Sequence, residues 1–128
     1  MAKEYSIDIE LRFSDLDAYG HVNSAVYFTY LETARVKLFG DFFREATAHG
    51  LFTLVARAEC DFKVPIELFD RLVVTVWLAR LGRSSFELEY RLHDGADTTY
   101  ATARTTMVCF DNLKKATVSV PDSIREMG

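Results

Sequence analysis

Little in this sequence can staple, coordinate or span. Only two cysteines, Cys60 and Cys109, occur among 128 residues. Neither lies in a CxxC or Cys/His cluster, so no zinc site is expected, and both read as small buried hydrophobes. Basic residues are not in excess: 15 Lys and Arg stand against 19 Asp and Glu, a formal charge of −4. The chain-wide basic footprint that non-specific nucleic-acid binding needs is missing, so a polyanionic ligand would have to find a local patch. The longest apolar run, Leu72 to Ala79, falls far short of the roughly 20 residues that span a bilayer. The opening MAKEYSIDIE is charged and has no apolar h-region, so it does not read as a signal peptide. A soluble, reducing, cytoplasmic setting is the expectation. No internal repeat, low-complexity tract or Pro/Gly-rich linker interrupts the chain. With 49% hydrophobic residues it is long enough for one domain with a real core, expected over residues 1–128, and too short for two comfortable ones.

What is present has a clear periodicity. Tyr5, Ile7, Ile9, Leu11 and Phe13 alternate with polar residues, the period-two signature of a strand with one buried face. From Ser24 the period becomes helical, with Tyr27, Tyr30, Leu31, Ala34 and Leu38 on one stripe and no proline or glycine before Gly40. Phe28 and Phe39 lie off that stripe, so this helix is expected to be surrounded rather than laid on a surface. Asp41 to His49 reads as a second, shorter helix ended by Gly50. The rest is strands: Phe52 to Lys63, Leu72 to Leu81, a turn at Gly82-Arg83-Ser84, the alternating run from Phe86 to His93, a hairpin signal at Asp94-Gly95, and Thr98 to Phe110. Both faces of Leu72 to Leu81 are apolar, which requires cover on each side. The expected class is α+β, with an antiparallel sheet of five or six strands curled around one long central helix. A homo-oligomer, dimer or tetramer, would supply the second cover.

The stretch FSDLDAYGHVNSAVYF, Phe13 to Phe28, concentrates polar groups directly ahead of the helix. Asp15, Asp17 and Gly20 match positions one, three and six of a calcium loop, but Tyr19 and Val26 then stand where an oxygen ligand and a bidentate Glu belong. A second reading makes the stretch a capping turn, since Asn23 is a good N-cap and carboxylates favour a helix N-terminus.

A third reading rests on a resemblance. Arg12-Phe13-Ser14-Asp15-Leu16-Asp17, Gly20-His21-Val22-Asn23, Tyr27 and Ala34-Arg35 resemble the hotdog-fold acyl-CoA thioesterases of the 4-hydroxybenzoyl-CoA thioesterase type. Pro65, Asp70, Gly82-Arg83-Ser84-Ser85 and Asp94-Gly95 continue it more loosely. Thioester hydrolysis needs a nucleophile or activated water and donors for the developing oxyanion. A carboxylate at the mouth of a helix and the unpaired N–H groups of its first turn could supply both. The resemblance makes Asp17 the catalytic carboxylate, as base toward water or as attacking group, and leaves Asp15 structural. It puts the carbonyl-polarising amide at Ser24 or Asn23, with Gly20 letting the backbone approach the thioester. His21 would orient the loop or protonate the leaving thiolate.

Coenzyme A phosphates would need local cations, for which the turn Arg83-Ser84-Ser85 and Lys63 before Pro65 are the candidates, though both also read as ordinary solvated charges. Tyr27 would shape an acyl pocket or fill the core. The resemblance implies an acyl-CoA substrate, no cofactor beyond the coenzyme A of that substrate, and no nucleic-acid or membrane partner. A hotdog hydratase and a non-catalytic acyl-binding protein are the alternatives, since one fold hosts many functions.

Overall fold

The computed structural model describes residues 3–128; Met1 and Ala2, which open the N-terminal stretch read above, lie outside them. Strand β1 (Glu4–Ile9) is followed by a single 3-10 turn at Phe13–Asp15, helix α1 (Val26–Ala48), and strands β2 (Leu51–Phe62), β3 (Leu72–Leu81), β4 (Ser85–His93), β5 (Thr99–Asp111) and β6 (Ala116–Thr117). A short helix, α2 (Asp122–Arg125), ends the fold. The sheet is antiparallel throughout, in the order β1-β3-β4-β5-β2 with β6 alongside β5. Helix α1 touches both edge strands, β1 and β2, as well as β3, so the sheet folds around it as the periodicity predicts. No helix among the described residues is long and apolar enough to cross a membrane.

The core follows from strand parity. Tyr5, Ile7 and Ile9 pair with Val76, Val74 and Leu72 and turn to the helix side. Leu88, Tyr90 and Leu92 of β4 and Ala101, Ala103 and Met107 of β5 continue that face. Against it α1 buries Tyr27, Tyr30, Leu31, Ala34 and Phe39. Leu31, Ala34, Val74, Val76 and Leu88 are fully buried, and removing apolar surface from water, worth about 25 cal/mol per Å2, is the main favourable term holding these elements together.

Four expectations are corrected. Strand β1 stops at Ile9, because the chain turns into the 3-10 segment and leaves Phe13 81% exposed. The helix does not end at Gly40. It runs 23 residues, about 34 Å at 1.5 Å per residue. One glycine costs a helix only about 1 kcal/mol, and Phe39, Phe42 and Phe43 packed on either side of it outweigh that.

The helix is also not covered all round: Val36 is 61% exposed and Phe28 37%. And the outer face of β3 needs no second subunit. Val73 and Thr75 are buried by the chain itself. Thr75 Oγ1 lies 2.8 Å from both Ser6 Oγ and His93 Nε2, while Gly95 N–H donates to His93 Nδ1 at 3.1 Å. That last bond leaves the ring proton on Nε2, and burial lowers the His93 pKa further. The uncovered apolar surface lies instead on the edge strand β2, whose Leu54, Val55 and Phe62 are 46–50% exposed.

Gly40 adopts helical geometry, and a Cβ built there would meet no atom within 4 Å. Gly40→Ala should therefore raise stability by about 0.5–1 kcal/mol by removing backbone freedom from the unfolded chain. Urea denaturation checks this; a lower midpoint would show that the continuous helix is wrong.

Candidate active site

The loop between the 3-10 turn and α1 is built around one buried carboxylate. Asp15 is 1% exposed. Its Oδ2 accepts the Tyr30 hydroxyl at 2.8 Å and the Arg12 amide at 3.1 Å, and its Oδ1 accepts the Arg12 guanidinium at 2.9 and 3.1 Å. Burial by itself would raise the Asp15 pKa, but the bonds from Tyr30 and Arg12 outweigh it and hold the carboxyl below its ordinary value. The same burial, together with Asp15, pushes the Tyr30 phenol far up. The Asp15 carbonyl accepts the Asn23 amide at 2.9 Å, so both ends of the loop are tied to one residue.

Between those ends the chain reverses. Asp17 N–H donates to the His21 carbonyl at 2.7 Å and Gly20 N–H to the Asp17 carbonyl at 3.1 Å, with Gly20 at φ +77°. That positive φ is why glycine stands there; open space surrounds it. Val22 N–H reaches the Ile66 carbonyl at 2.8 Å and pins the loop to the segment after β2.

Asp17 does not cap α1. Its Oδ1 accepts the amides of Tyr19 at 2.9 Å and His21 at 3.3 Å inside the loop, which removes the capping reading of this residue. Asn23 does cap the turn that leads into the helix: its Oδ1 accepts the Ala25 amide at 2.9 Å and its carbonyl the Val26 amide at 2.9 Å, just ahead of the first residue of α1. Among the described residues the Ser24 N–H finds no acceptor, and neither does the His21 ring engage the Asp17 carboxylate.

Asp17, His21, Ser24, Tyr27 and Lys63 line one open cleft of about 300 Å3. Val22, Phe62, Val64 and Pro65 supply its apolar walls. Tyr27 is 3% exposed and stands edge-on to Phe62, ring centroids 4.8 Å apart, so it serves as both core and wall. Phe62 and Val64 are the site residues that sequence reading missed. Parity along β2 could have placed Phe62 on the inner face, but not at a cleft made by a distant loop.

Arg83 and Ser84 are not part of this cleft. They line a separate cavity of about 580 Å3 with Thr117 and Ser119, and Ser85 pairs with Val108 whereas the cleft's Phe62 pairs with Ala101. Seven residues of β5 separate those rungs, roughly 24 Å at 3.4 Å per residue. Within one chain the expected phosphate-binding set is therefore split, with Lys63 at the cleft and the turn at the other end of the sheet. Asp15, position one of the calcium reading, has both carboxylate oxygens filled by Arg12 and Tyr30, which takes away that reading's first ligand.

A six-stranded antiparallel sheet around one long helix, with an acidic loop at the helix start, is the hotdog architecture. The chain belongs to the thioesterase-like superfamily, whose family model matches residues 11–127; its class is that of a thioester hydrolase. It is 31% identical over 121 residues to the long-chain acyl-CoA thioesterase FadM of Escherichia coli, covering 92% of each chain. It is 30% identical over 122 residues to a 1,4-dihydroxy-2-naphthoyl-CoA hydrolase of Thermosynechococcus vestitus, covering 89% of this chain and 81% of that one. The structure of Slr0204, a 1,4-dihydroxy-2-naphthoyl-CoA thioesterase from Synechocystis, superposes with a TM-score of 0.86 at 16% identity, covering 98% and 95% of the two chains, and shows the shared fold.

Asp15→Ala should cost about 2–4 kcal/mol, because it strands the buried Tyr30 hydroxyl and releases Arg12, although the backbone carbonyl at this position still holds the Asn23 amide. The Asp15 pKa is depressed on folding, so its contribution is present above the ordinary carboxyl value of about 3.9 and lost as pH falls through its folded value. Urea midpoints measured from pH 7 to pH 3 should show the gap between parent and variant closing in acid. A gap that widens in acid would contradict this role.

Proposed function

We propose that the protein hydrolyses acyl-coenzyme A thioesters to free acid and coenzyme A at the Asp17 cleft. The observation that carries this reading is the pairing of a loop-held carboxylate with the unengaged Ser24 amide at the mouth of α1, both on one cleft. The relatives named above act on acyl-CoA by their names, which supports the substrate class.

In this reading the thioester carbonyl lies over the start of α1. The Ser24 N–H and the positive end of the helix dipole stabilise the oxyanion as it forms. Asp17 either takes a proton from water, whose oxygen attacks the carbonyl carbon, or attacks it directly to give an anhydride that water then opens. In both routes the C–S bond breaks with its electron pair on sulfur, and the thiol of coenzyme A leaves as thiolate. Two amide bonds to Oδ1 fix the Asp17 carboxylate and leave Oδ2 for the reaction. His21 orients the turn through its backbone. Gly20 supplies the reversal, Asn23 braces the first turn of the helix, and Tyr27 walls the acyl group. The reaction needs no cofactor beyond the coenzyme A of the substrate.

The chain acts as a homo-oligomer, dimer or tetramer. If β2 pairs antiparallel with its own copy across a two-fold axis, the Leu54 end of one strand meets the Phe62 end of the other. Leu54, Val108 and Ser85 share one rung across β2, β5 and β4. The second copy would then bring Arg83, Ser84 and Ser85 to the end of the sheet that carries the first copy's Asp17 and Lys63. The split phosphate set becomes one site across two protomers.

Asp17→Asn separates this chemistry from a structural role, because the amide oxygen still accepts the Tyr19 and His21 bonds yet neither takes a proton nor attacks. Thiol release from acyl-CoA should fall by roughly 10²–10⁴, about 3–5 kcal/mol in barrier, with urea stability within about 1 kcal/mol of the parent. Activity within a fewfold of the parent would refute the mechanism. Replacing Lys63 or Arg83 by alanine should instead raise KM and flatten its salt dependence with kcat nearly unchanged, since phosphate contacts persist from ground state to transition state. A fall in kcat at constant KM would remove them from the coenzyme A site.

A further inference from the structure

Two aromatic side chains stand in water beside the Asp17 cleft. Phe69 is 96% exposed and Tyr19 85%, the two most exposed large hydrophobic residues among those described. Neither ring stacks on another aromatic among the described residues, so the faces of both are free. One exposed aromatic is ordinary, whereas two that the fold brings together from distant segments mark a contact surface. The loop pairing brings them together. Val22 N–H donates to the Ile66 carbonyl at 2.8 Å, and His21 pairs antiparallel with Glu67. Residues before His21 and residues after Glu67 therefore leave this pairing at the same end, which sets the turn bearing Tyr19 beside the turn bearing Phe69.

Both turns are closed by hydrogen bonds. Tyr19 N–H donates to Asp17 Oδ1 at 2.9 Å. The turn of Phe69 is closed twice by Asp70, whose N–H donates to the Glu67 carbonyl at 3.0 Å and whose Oδ2 accepts the Glu67 amide at 2.8 Å. Rings presented on ordered backbone lose little freedom on meeting a ligand. They flank the cleft without lining it: Asp17 and His21, on either side of Tyr19, and Pro65, ahead of Phe69, are its lining residues. At about 300 Å3 the cleft stands at the low end of ligand pockets, roughly 300–1,000 Å3, and the thioester and the attacking water occupy part of it. A long acyl group has to continue past the mouth.

We propose that Tyr19 and Phe69 form an apolar rim on which the distal part of a long aliphatic acyl group lies, so that the site favours extended over short acyl chains; the proposal rests on the Asp17 reading above. Charge selects this occupant. Residues 17–21 and 66–70 carry Asp17, Glu67 and Asp70 and no lysine or arginine. Those carboxylates repel the phosphates of coenzyme A, which find their cation at Lys63, and they disfavour an anionic lipid surface equally. The uncharged end of the substrate meets no such penalty. Its methylenes leave water against the two ring faces, and each added carbon that reaches them adds to the binding.

The test compares thiol release from butanoyl- and dodecanoyl-coenzyme A, below the micelle concentration of the latter, by the full chain and its variants. The parent should prefer dodecanoyl. Phe69→Ala alters only an exposed side chain, so it should keep the parent's urea midpoint, lower kcat/KM for dodecanoyl-coenzyme A by roughly tenfold and leave butanoyl-coenzyme A within twofold. Tyr19→Ala keeps the backbone amide that Asp17 accepts and should show the same ranking of losses. Equal losses on both chains would mean that the residues only shape the turns, and would overturn the rim. So would a defect that vanishes when S-dodecanoylpantetheine replaces the coenzyme A thioester, since the rings would then hold the adenine. Weaker self-association of the variants in sedimentation velocity would assign the rings to a second copy and overturn it too. A parent that prefers butanoyl-coenzyme A, or that acts only on aromatic thioesters, removes the rim alone. A parent inactive on every acyl-coenzyme A takes the Asp17 reading with it.

Discussion

The buried Asp15 carboxylate is the constraint on which the rest of the site depends. Four donor contacts from Arg12 and Tyr30 converge on it, and its own carbonyl holds the Asn23 amide. A negative charge this far from water persists only if its acceptors are filled, and filling them draws the 3-10 turn onto the second turn of α1, while the backbone carbonyl of the same residue holds the one that leads into the helix. With those three points joined, the intervening chain has room for a single tight reversal, and that reversal sets Asp17 over the cleft. The two carboxylates of one short motif thus stand in opposite environments, one dry and saturated with donors, the other in an open cleft with one oxygen unengaged.

The legibility of each part in the sequence follows the range of the interactions that decide it. Strict alternation in β1 and β4 and the apolar stripe from Tyr27 to Leu38 are local signals, and the sheet, the helix and their contact followed from them. Gly40 shows the opposite case. Its helix-breaking preference is worth about 1 kcal/mol, and the three phenylalanines packed beside it outweigh that through contacts made with distant strands. Asn23 is legible as a cap from its residue type, and its Oδ1 accepts the Ala25 amide at the entry to the helix. The polar character of the loop was plain in the sequence. Which carboxylate would be buried was not, because it depends on Tyr30, fifteen residues away on the helix.

The apolar excess was also real but lay elsewhere. The continuous apolar run of Leu72 to Leu81 correctly identified a strand apolar on both faces. The chain, however, covers its outer face with a hydrogen-bonded row of Ser6, Thr75 and His93, and none of those contacts can be anticipated before the strand order is known. The open surface is β2 and the adjoining face of α1. There a terminal strand, a half-exposed apolar stripe and a buried arginine without a salt bridge among the described residues occur together. In the proposed oligomer that single surface covers the core and joins the two halves of the coenzyme A site.

Thiol release by the parent protein across a panel of acyl-coenzyme A substrates, from short aliphatic to long fatty and aromatic acyl groups, tests the hydrolysis of acyl-CoA most directly. At least one acyl class should release free coenzyme A and carboxylic acid in equal amounts, over many turnovers and without added metal or cofactor. A protein that binds these thioesters and returns them intact would contradict the assignment.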